Sequence, residues 1–276
     1  MNRKQVRDGT QLYVKTLGSG RPVVLIHGWP LSADSWDPQM IALAEAGYQA
    51  IAYDRRGFGR SDQPAIGYDY NTFTDDLADV MQAVGAMENV ALVGFSMGGG
   101  EVARYMSRYE GRGVTQAVLI SSVVPFLLKT EDHPEGVPQS VFDGMAAGMR
   151  HDMRQFFRDF FKGFYGASED QTGVSQAELN WAWMTSQQAG QNAVLQAAKA
   201  FSTTDFRADL ASFRVPTLVI HGTSDDIVPL DITSRVVAER VTTATLVEYE
   251  GAPHAVFATN RERLTQDLLE FLRSGS

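Results

Sequence analysis

The sequence predicts an α/β protein with a doubly wound, mostly parallel sheet and a helical cap inserted after the strand at 114–121. Apolar strand patterns alternate with helical patterns up to that strand, and the alternation resumes in the last quarter of the chain. Between them, residues 123–212 show no evident strand and are rich in aromatic residues. Strand–helix alternation is typical of a parallel sheet with helices on both faces. We therefore expect a core of residues 1–122 and 213–276 and a cap of residues 123–212.

Composition limits the classes of partner. The 276 residues suit one large α/β domain or two small ones, and a net charge of −9 disfavours nucleic acid or an anionic membrane as partner. The absence of cysteine excludes disulfides, thiolate metal sites and a cysteine nucleophile. The N-terminus is polar, and no apolar run approaches the roughly 18 residues of a membrane helix. We expect a soluble, cytoplasmic protein.

The first elements follow in chain order. Residues 11–16 alternate polar and apolar, which predicts an edge strand. Residues 23–26 form a continuous apolar run, as expected of a strand buried on both faces of a parallel sheet. The next predicted elements are a helix at 36–46, a strand at 48–53 and a helix that Asn71 or Thr72 caps and that runs to about residue 84.

Residues 90–101 carry the most informative pattern. An apolar run ends at residue 93, Ser96 lies between Gly94 and Gly98, and a helical pattern begins at Met97. G-x-S-x-G between a strand and a helix is the signature of a nucleophile elbow, which lifts the serine hydroxyl above the sheet edge. The elbow also places the Met97 N–H at a helix N-terminus, where negative charge is stabilised. The alternative is a glycine-rich turn with a solvent-facing serine.

The second half of the chain completes the sheet. Because the aromatic insert follows the strand at 114–121, it can lie over the C-terminal ends of the strands. The remaining predicted elements are a strand at 215–222, a helix at 232–240, a strand at 245–249 and a closing amphipathic helix at 262–272.

A serine nucleophile needs a base and a carboxylate that orients the base. On an elbow of this type the partners follow in the order Asp or Glu, then His. His254 alone lies after the last strand, whereas His27 and His221 precede glycines at strand ends and are expected to be structural. The other two histidines, His133 and His151, lie in the insert.

The carboxylate belongs to the loop after the strand at 215–222. Asp225 and Asp226 are adjacent there, so composition does not choose between them, and either could instead cap the following helix. The tetrahedral intermediate also needs two N–H donors. Met97 supplies one, and Trp29 fits the second because Pro30 has no N–H.

These segments together resemble the α/β-hydrolase superfamily, and most closely its cofactor-free haloperoxidase (non-haem chloroperoxidase, perhydrolase) and arylesterase branch. The resemblance spans almost the whole chain. One departure is Ala255, where the branch often has a glycine after the catalytic histidine. The matching segments are 27–30 (HGWP), 53–61 (YDRRGFGRS), 94–99 (GFSMGG), 204–207 (TDFR), 221–229 (HGTSDDIVP) and 252–254 (APH).

The resemblance implies an α/β-hydrolase fold and selects Asp225 as the orienting acid. It further implies no metal, haem or organic cofactor, and a homo-oligomer. The site residues that it implies are Ser96 as nucleophile, Asp225 as acid, His254 as base, and the N–H groups of Trp29 and Met97 as oxyanion donors.

We therefore expect a serine hydrolase that cleaves small carboxylic esters, aryl esters included, with perhydrolase activity that yields peracids and hence halide oxidation. Its partners would be small-molecule ester or peroxide substrates. The alternatives are a lactonase or γ-lactam hydrolase, and a slow-turnover hydrolase-like ligand receptor. Ser96 argues against relatives that use an aspartate nucleophile.

The substrate pocket is expected among the aromatic helices of the cap. The predicted lining residues are Phe126, which follows the strand at 114–121 closely, the pair Trp181 and Trp183, and Pro30. Pro30 is expected to favour perhydrolysis, because proline restricts the backbone and so the direction of the Trp29 carbonyl. A carbonyl turned into the site could accept the second O–H of hydrogen peroxide.

Overall fold

An eight-stranded sheet forms the centre of the computed structural model, which describes residues 2–167 and 173–275. Its spatial order is β1-β2-β4-β3-β5-β6-β7-β8. The pairs β1–β2 and β2–β4 are antiparallel, and all the others are parallel. The strands are β1 (Arg3–Gln5), β2 (Gln11–Leu17), β3 (Arg21–Ile26), β4 (Tyr48–Tyr53), β5 (Val90–Phe95), β6 (Val114–Ile120), β7 (Thr217–Gly222) and β8 (Ala244–Tyr249).

Nine helices accompany the sheet in the described ranges. Three of them, the fourth to the sixth, lie between β6 and β7 in the chain. The helices are α1 (Asp37–Glu45), α2 (Tyr70–Ala83), α3 (Met97–Arg108), α4 (Gln139–Phe164), α5 (Gln176–Ser186), α6 (Gln191–Thr203), α7 (Ser234–Arg240), α8 (Val256–Thr259) and α9 (Arg261–Arg273). None of these helices is long and apolar enough to cross a membrane.

The sheet centre explains the apolar runs of the sequence. All six residues of β5 are buried, and β5 pairs with β3 on one side and β6 on the other. Strands covered by helices on both faces lose their polar alternation, because neither face meets water. The predicted doubly wound, mostly parallel fold class is confirmed.

Two local predictions were wrong. The strand at 11–16 is not an edge, because β1 pairs with β2 and covers it. The cap of α2 is Asp69 rather than Asn71 or Thr72, since the Asp69 side chain accepts the backbone N–H groups of both those residues. An aspartate two to three residues upstream satisfies two otherwise unpaired helix N–H groups.

The regular elements described between β6 and β7 are helices, joined by turns and loops. Only isolated bridges, at Leu128 with Val137 and at Thr130 with His133, occur among the described residues of that insert. Residues 168–172 of the predicted cap, and residues 1 and 276 of the predicted core, lie outside the described residues.

Helix α4 consists of two helical halves joined at a kink. Asp152 has non-helical backbone angles, with φ −151° and ψ 92°. Its Oδ1 accepts the N–H of Gln155 at 3.0 Å, so Asp152 caps the second half in the way that an ordinary helix N-cap does. The kink lets the two halves of α4 run in different directions.

Candidate active site

Ser96 lies at the junction of β5 and α3 with φ 52° and ψ −118°, a conformation that L-residues rarely adopt. The junction is tight on both sides of the serine. A Cβ on Gly94 would lie 2.5 Å from the Gly98 carbonyl oxygen, and a Cβ on Gly98 would lie 2.4 Å from the Ile26 carbonyl oxygen. Both positions therefore require glycine, which is the physical content of the G-x-S-x-G pattern.

Three side chains from three separate loops meet beside this turn. The Ser96 Oγ lies 2.9 Å from His254 Nε2, and His254 Nδ1 lies 2.6 Å from Asp225 Oδ2. All three residues are buried. Because Nδ1 faces a carboxylate, it carries the hydrogen, and Nε2 is left to accept the Ser96 hydroxyl. This arrangement can remove a proton from the serine as the serine attacks an electrophile.

The fold explains why these distant residues meet. Ser96 follows β5, Asp225 follows β7 and His254 follows β8, and these strands run parallel within one sheet. The carboxyl ends of parallel strands lie at the same edge, where ligand sites of such sheets form.

Asp225 is strongly held in its ionised form. Its Oδ1 accepts the backbone N–H groups of Ile227 and Val228 at 2.9 and 2.8 Å. Burial alone would raise the pKa of Asp225, but the charge of His254 and the hydrogen bonds from His221 and His254 hold that pKa well below its usual range. Asp226, the other candidate from the sequence, is exposed to solvent.

His221 is a contact that sequence reasoning missed. Its Nε2 lies 3.0 Å from Asp225 Oδ2 and 2.9 Å from the Val228 carbonyl oxygen, while Nδ1 lies 2.7 Å from Ser234 Oγ. Two acceptors facing Nε2 place the hydrogen there, so His221 donates to the carboxylate. A signal was present, because β7 ends in His-Gly and the loop that carries Asp225 starts immediately after it.

The two predicted oxyanion donors flank the serine. Met97 is the first residue of α3, so its N–H has no acceptor within the helix. Trp29 lies in a turn that the Leu31 N–H closes on the Gly28 carbonyl oxygen at 3.0 Å. Across the ranges that the structure describes, the backbone N–H of Trp29 has no protein acceptor. Donors left unpaired in a buried site can bind a negatively charged oxygen.

The Trp29 ring anchors this turn to the insert. The ring Nε1 donates to the Val194 carbonyl oxygen at 3.1 Å. The ring also packs against Phe157, Phe160 and Phe201 with centroid separations between 5.2 and 5.5 Å. Trp29 therefore has its backbone at the serine and its side chain in an aromatic cluster of α4 and α6.

A buried ion pair beneath the site joins α3 to His27, which lies just before the turn that contains Trp29. Arg55 donates to Glu101 through Nε and to the His27 carbonyl oxygen through Nη2 at 2.7 Å. Tyr53 donates its hydroxyl to the other oxygen of Glu101. Burial and the nearby Arg55 charge lower the pKa of His27 well below its usual range, so His27 is neutral. His27 thus has the structural position that its place at a strand end predicted.

An enclosed cavity of about 210 Å³, which we call the inner cavity, opens beside Ser96, His254 and the Trp29 side chain. Its wall is mostly apolar, with Asp226 as a charged exception, and most of it comes from the insert and from the loop after β7. Phe160 and Phe164 lie four residues apart on α4 and so share one face of the helix. The further wall residues used below are Val123, Leu127, Val141, Phe142, Met145, Phe201 and Ile227.

The predicted pocket residues lie elsewhere. Val123 and Leu127 reach the inner cavity, but Phe126 between them packs against His133 and Arg207. Trp183 donates to the Arg154 carbonyl oxygen at 2.9 Å and lies beneath the Arg158 guanidinium.

Two further predicted pocket residues also lie off the wall. Trp181 is half-buried against the core, and Pro30 is buried beside Trp29. Aromatic content predicted that the insert forms the pocket, but it could not show which helix face points inward. Phe156, Phe160 and Phe164 have four-residue spacing, but so do Phe157, Phe161 and Tyr165, so spacing alone does not select the inward face.

Comparison with known proteins agrees with this geometry. The model of the alpha/beta hydrolase fold family matches residues 21–261. The chain belongs to this family, which confirms the resemblance seen in the sequence. It is 41% identical to the non-heme chloroperoxidase CPO-A1 of Kitasatospora aureofaciens, over 96% of this chain and 97% of that protein.

Two further relatives are similarly close. The chain is 40% identical to the bifunctional esterase/perhydrolase DCH of Acinetobacter calcoaceticus, over 97% of this chain and 98% of that protein. The crystal structure of a bromoperoxidase from Bacillus anthracis superposes with a TM-score of 0.94 at 41% identity, covering 98% of this chain and 99% of that one.

Proposed function

We propose that this protein is a serine hydrolase that cleaves small carboxylic esters, aryl esters included, through an acyl-enzyme. One observation carries the proposal: the hydrogen-bonded series Ser96, His254 and Asp225 faces an enclosed apolar cavity of about 210 Å³. A nucleophile with its base and orienting acid can attack an ester carbonyl, and the apolar wall suits small uncharged acyl and alcohol groups. The relative named an esterase/perhydrolase supports this activity.

In the first half-reaction, Ser96 Oγ attacks the ester carbonyl carbon and His254 Nε2 takes the serine proton. The negative oxygen of the tetrahedral intermediate accepts hydrogen bonds from the Trp29 and Met97 N–H groups. Asp225 stabilises the imidazolium of His254. Collapse of the intermediate breaks the carbon–oxygen bond to the alcohol, which leaves with the proton from His254.

In the second half-reaction, His254 deprotonates a water molecule that attacks the acyl-enzyme, and the carboxylic acid leaves as Ser96 regains its proton. Hydrogen peroxide in place of water gives a peracid by the same steps. A peracid released into halide solution oxidises the halide there, without a halide site on the protein. The relative named a non-heme chloroperoxidase supports this side activity.

We further propose that residues 123–212 act as the cap over this site, as an insert in a core of residues 1–122 and 213–276. The wall residues Phe160 and Phe164 of α4 and Phe201 of α6 support this role. The homo-oligomer implied by the resemblance is also a proposal. Light scattering coupled to size-exclusion chromatography measures it directly, and a monomer mass would contradict it.

The decisive experiment is steady-state turnover of p-nitrophenyl esters and small lactones, with and without hydrogen peroxide. We expect sustained ester hydrolysis in the wild type, and peracid when peroxide is added. Ser96→Ala should lower turnover on the order of 10⁶-fold, since the nucleophile is lost. A single-turnover burst would instead indicate a ligand receptor, and preference for lactones over open esters would indicate a lactonase.

A further inference from the structure

A second cleft lies on the other side of the cavity wall. It has a volume of about 390 Å³ and is bounded by the first half of α4 and by α6. We call it the α4–α6 cleft. Ala146, Leu195 and Ala198 contribute apolar surface to it, and Arg150 and Lys199 are exposed. Polar side chains also line it, namely Gln139, Asp143, Gln196, Ser202 and Thr203.

Phe142 and Met145 line both the inner cavity and the α4–α6 cleft. They lie three residues apart on α4, so their side chains are neighbours on one face of the helix. Both are only partly buried. The two spaces thus share these two side chains in their walls.

A wall of this composition can open without movement of the backbone. Methionine is unbranched, with three rotatable bonds, and adapts its shape to its surroundings. Phe142 and Met145 belong to the half of α4 before the Asp152 kink, whereas Phe160 and Phe164 belong to the half after it. Rotation of the Met145 side chain therefore leaves the wall nearest Ser96 in place.

The size of the inner cavity limits what it can hold. Ligand pockets for drug-sized molecules usually occupy about 300–1,000 Å³. The inner cavity, at about 210 Å³, is below this range, and connection to the cleft would bring the space within it.

We propose that the α4–α6 cleft is a second subsite, which receives the distal end of esters too long for the inner cavity, and that Phe142 and Met145 form the gate between the two. The proposal rests on the ester hydrolysis proposed above. The substrate class is an ester with a medium-length apolar chain. Leu195 and Ala198 would contact the apolar chain. The end of the chain would reach solvent beside the exposed residues Arg150 and Lys199.

The test compares kcat/KM for long and short esters, in one series of p-nitrophenyl acyl esters and one series of alkyl acetates. Met145→Ala and Phe142→Ala should each raise the long-to-short ratio about tenfold or more in the series whose chain enters the cleft, as expected for changed apolar contact in a specificity pocket. Val141→Ala is the matched control, because Val141 lies on the same helix and lines the inner cavity but not the cleft. Its ratio should change much less.

A blocking variant identifies the route. Ala198→Trp places a large side chain in the cleft, so its long-to-short ratio should be lower than that of the wild type. In the double variant, Ala198→Trp should cancel the increase in this ratio that Met145→Ala causes. Leu195→Phe is a second blocking variant if Ala198→Trp does not fold. Circular dichroism and thermal melting establish folding for each variant.

Two results would overturn the gate. One is an unchanged long-to-short ratio in both gate variants, with short esters still hydrolysed, and in that case the proposed ester hydrolysis stands. The other is a gain in Met145→Ala that persists when the cleft is blocked, because the chain would then leave by another path. If the folded wild type hydrolyses neither series, the proposed function itself is wrong.

Discussion

Asp225 accepts hydrogen bonds from two imidazoles and two backbone N–H groups. Each of these donors favours the ionised carboxylate, which is why its pKa lies far below the usual range despite burial. In the proposed mechanism, an anion fixed in this way would orient His254 and stabilise the imidazolium that forms when the serine loses its proton. Asp226, one residue further on, is exposed.

Asp225→Asn should therefore lower ester turnover by about 10⁴-fold, because an amide at this position favours the wrong tautomer of His254. Asp226→Asn is the matched control, with the same change of charge one residue further on at the cavity wall, and should lower turnover far less than Asp225→Asn. Steady-state kinetics on one p-nitrophenyl ester measures both variants. The opposite ranking would show that Asp226 orients the base.

Pro30 is not part of the inner cavity wall, so any influence on the reaction passes through the backbone of Trp29. Pro30→Ala should lower the ratio of peracid to acid several-fold while ester hydrolysis persists. The reason is that a hydrogen bond which the Trp29 carbonyl oxygen accepts from hydrogen peroxide would contribute only about 0.5–1.5 kcal/mol. Both products are measured from one acyl donor. A proportional fall of both would mean that Pro30 only supports the turn.

At the scale of elements, the loop after β4 ties several parts of the core together. Arg56 donates to both oxygens of Asp76 on α2 at 2.6 Å, and only 2% of each side chain is exposed. Arg56 also donates to Asp8 in the turn between β1 and β2, at 2.8 Å. The loop thus connects the N-terminal hairpin, which the sequence did not predict, to the first large helix.

Arg56→Met should destabilise the protein by about 3–5 kcal/mol, because it leaves the buried Asp76 carboxylate without its partner. Arg108→Met is the control. Arg108 pairs with Asp75, the neighbour of Asp76 on α2, but the Arg108 side chain is 41% exposed. Exposed pairs contribute roughly 0–1 kcal/mol. Urea unfolding at pH 7 measures both variants, and equal effects would contradict the role of burial.

At the scale of the whole molecule, ion pairs set the response to acid. Burial would raise the pKa of Asp8, but its hydrogen bonds, the one from Arg56 foremost, lower that pKa to about 2. Basic partners likewise lower the pKa values of Asp34, Asp75 and Asp205, although burial alone would raise them. Asp76 differs, because burial outweighs Arg56 and raises its pKa to about 6.

The direction of the pH dependence of stability follows from how many protons the folded and unfolded states bind. Carboxylates with lowered pKa bind fewer protons in the folded state than in the unfolded state, where the pKa of aspartate is about 3.9. Their stabilisation is complete above that value and is lost as pH falls through the folded pKa values. Asp76 acts in the opposite direction between about pH 4 and 6, so it does not offset the loss below pH 4.

The free energy of unfolding should therefore fall between about pH 4 and pH 2.5, as measured by urea titration at fixed ionic strength. Asp225→Asn should show a shallower fall, since it removes a carboxylate with one of the lowest pKa values. A wild-type curve that stays flat over this range would contradict the contribution assigned to these pairs.

The sequence by itself determined the fold class, identified Ser96 and His254, and restricted the orienting carboxylate to Asp225 or Asp226. The reason is local: glycines at 94 and 98 are required by contacts of their own backbone, and apolar runs report burial on both faces of a strand. Chain order then restricted the base to His254, because parallel strands bring their carboxyl ends to one edge. Ser96 and His254 could be named for this reason, whereas the choice of Asp225 over Asp226 came from the resemblance to the family.

Only the tertiary structure decided what surrounds those residues. Phe126, Trp181 and Trp183 are as aromatic as Phe160 and Phe164, yet only the latter pair reaches the inner cavity. Composition reports that a helix is amphipathic, whereas the direction of each face depends on how the helices of the insert pack and where α4 kinks at Asp152. The hydrogen bond from His221 to Asp225 and the wall shared by Phe142 and Met145 likewise arise from the packing of separate elements, which no local pattern of residues encodes.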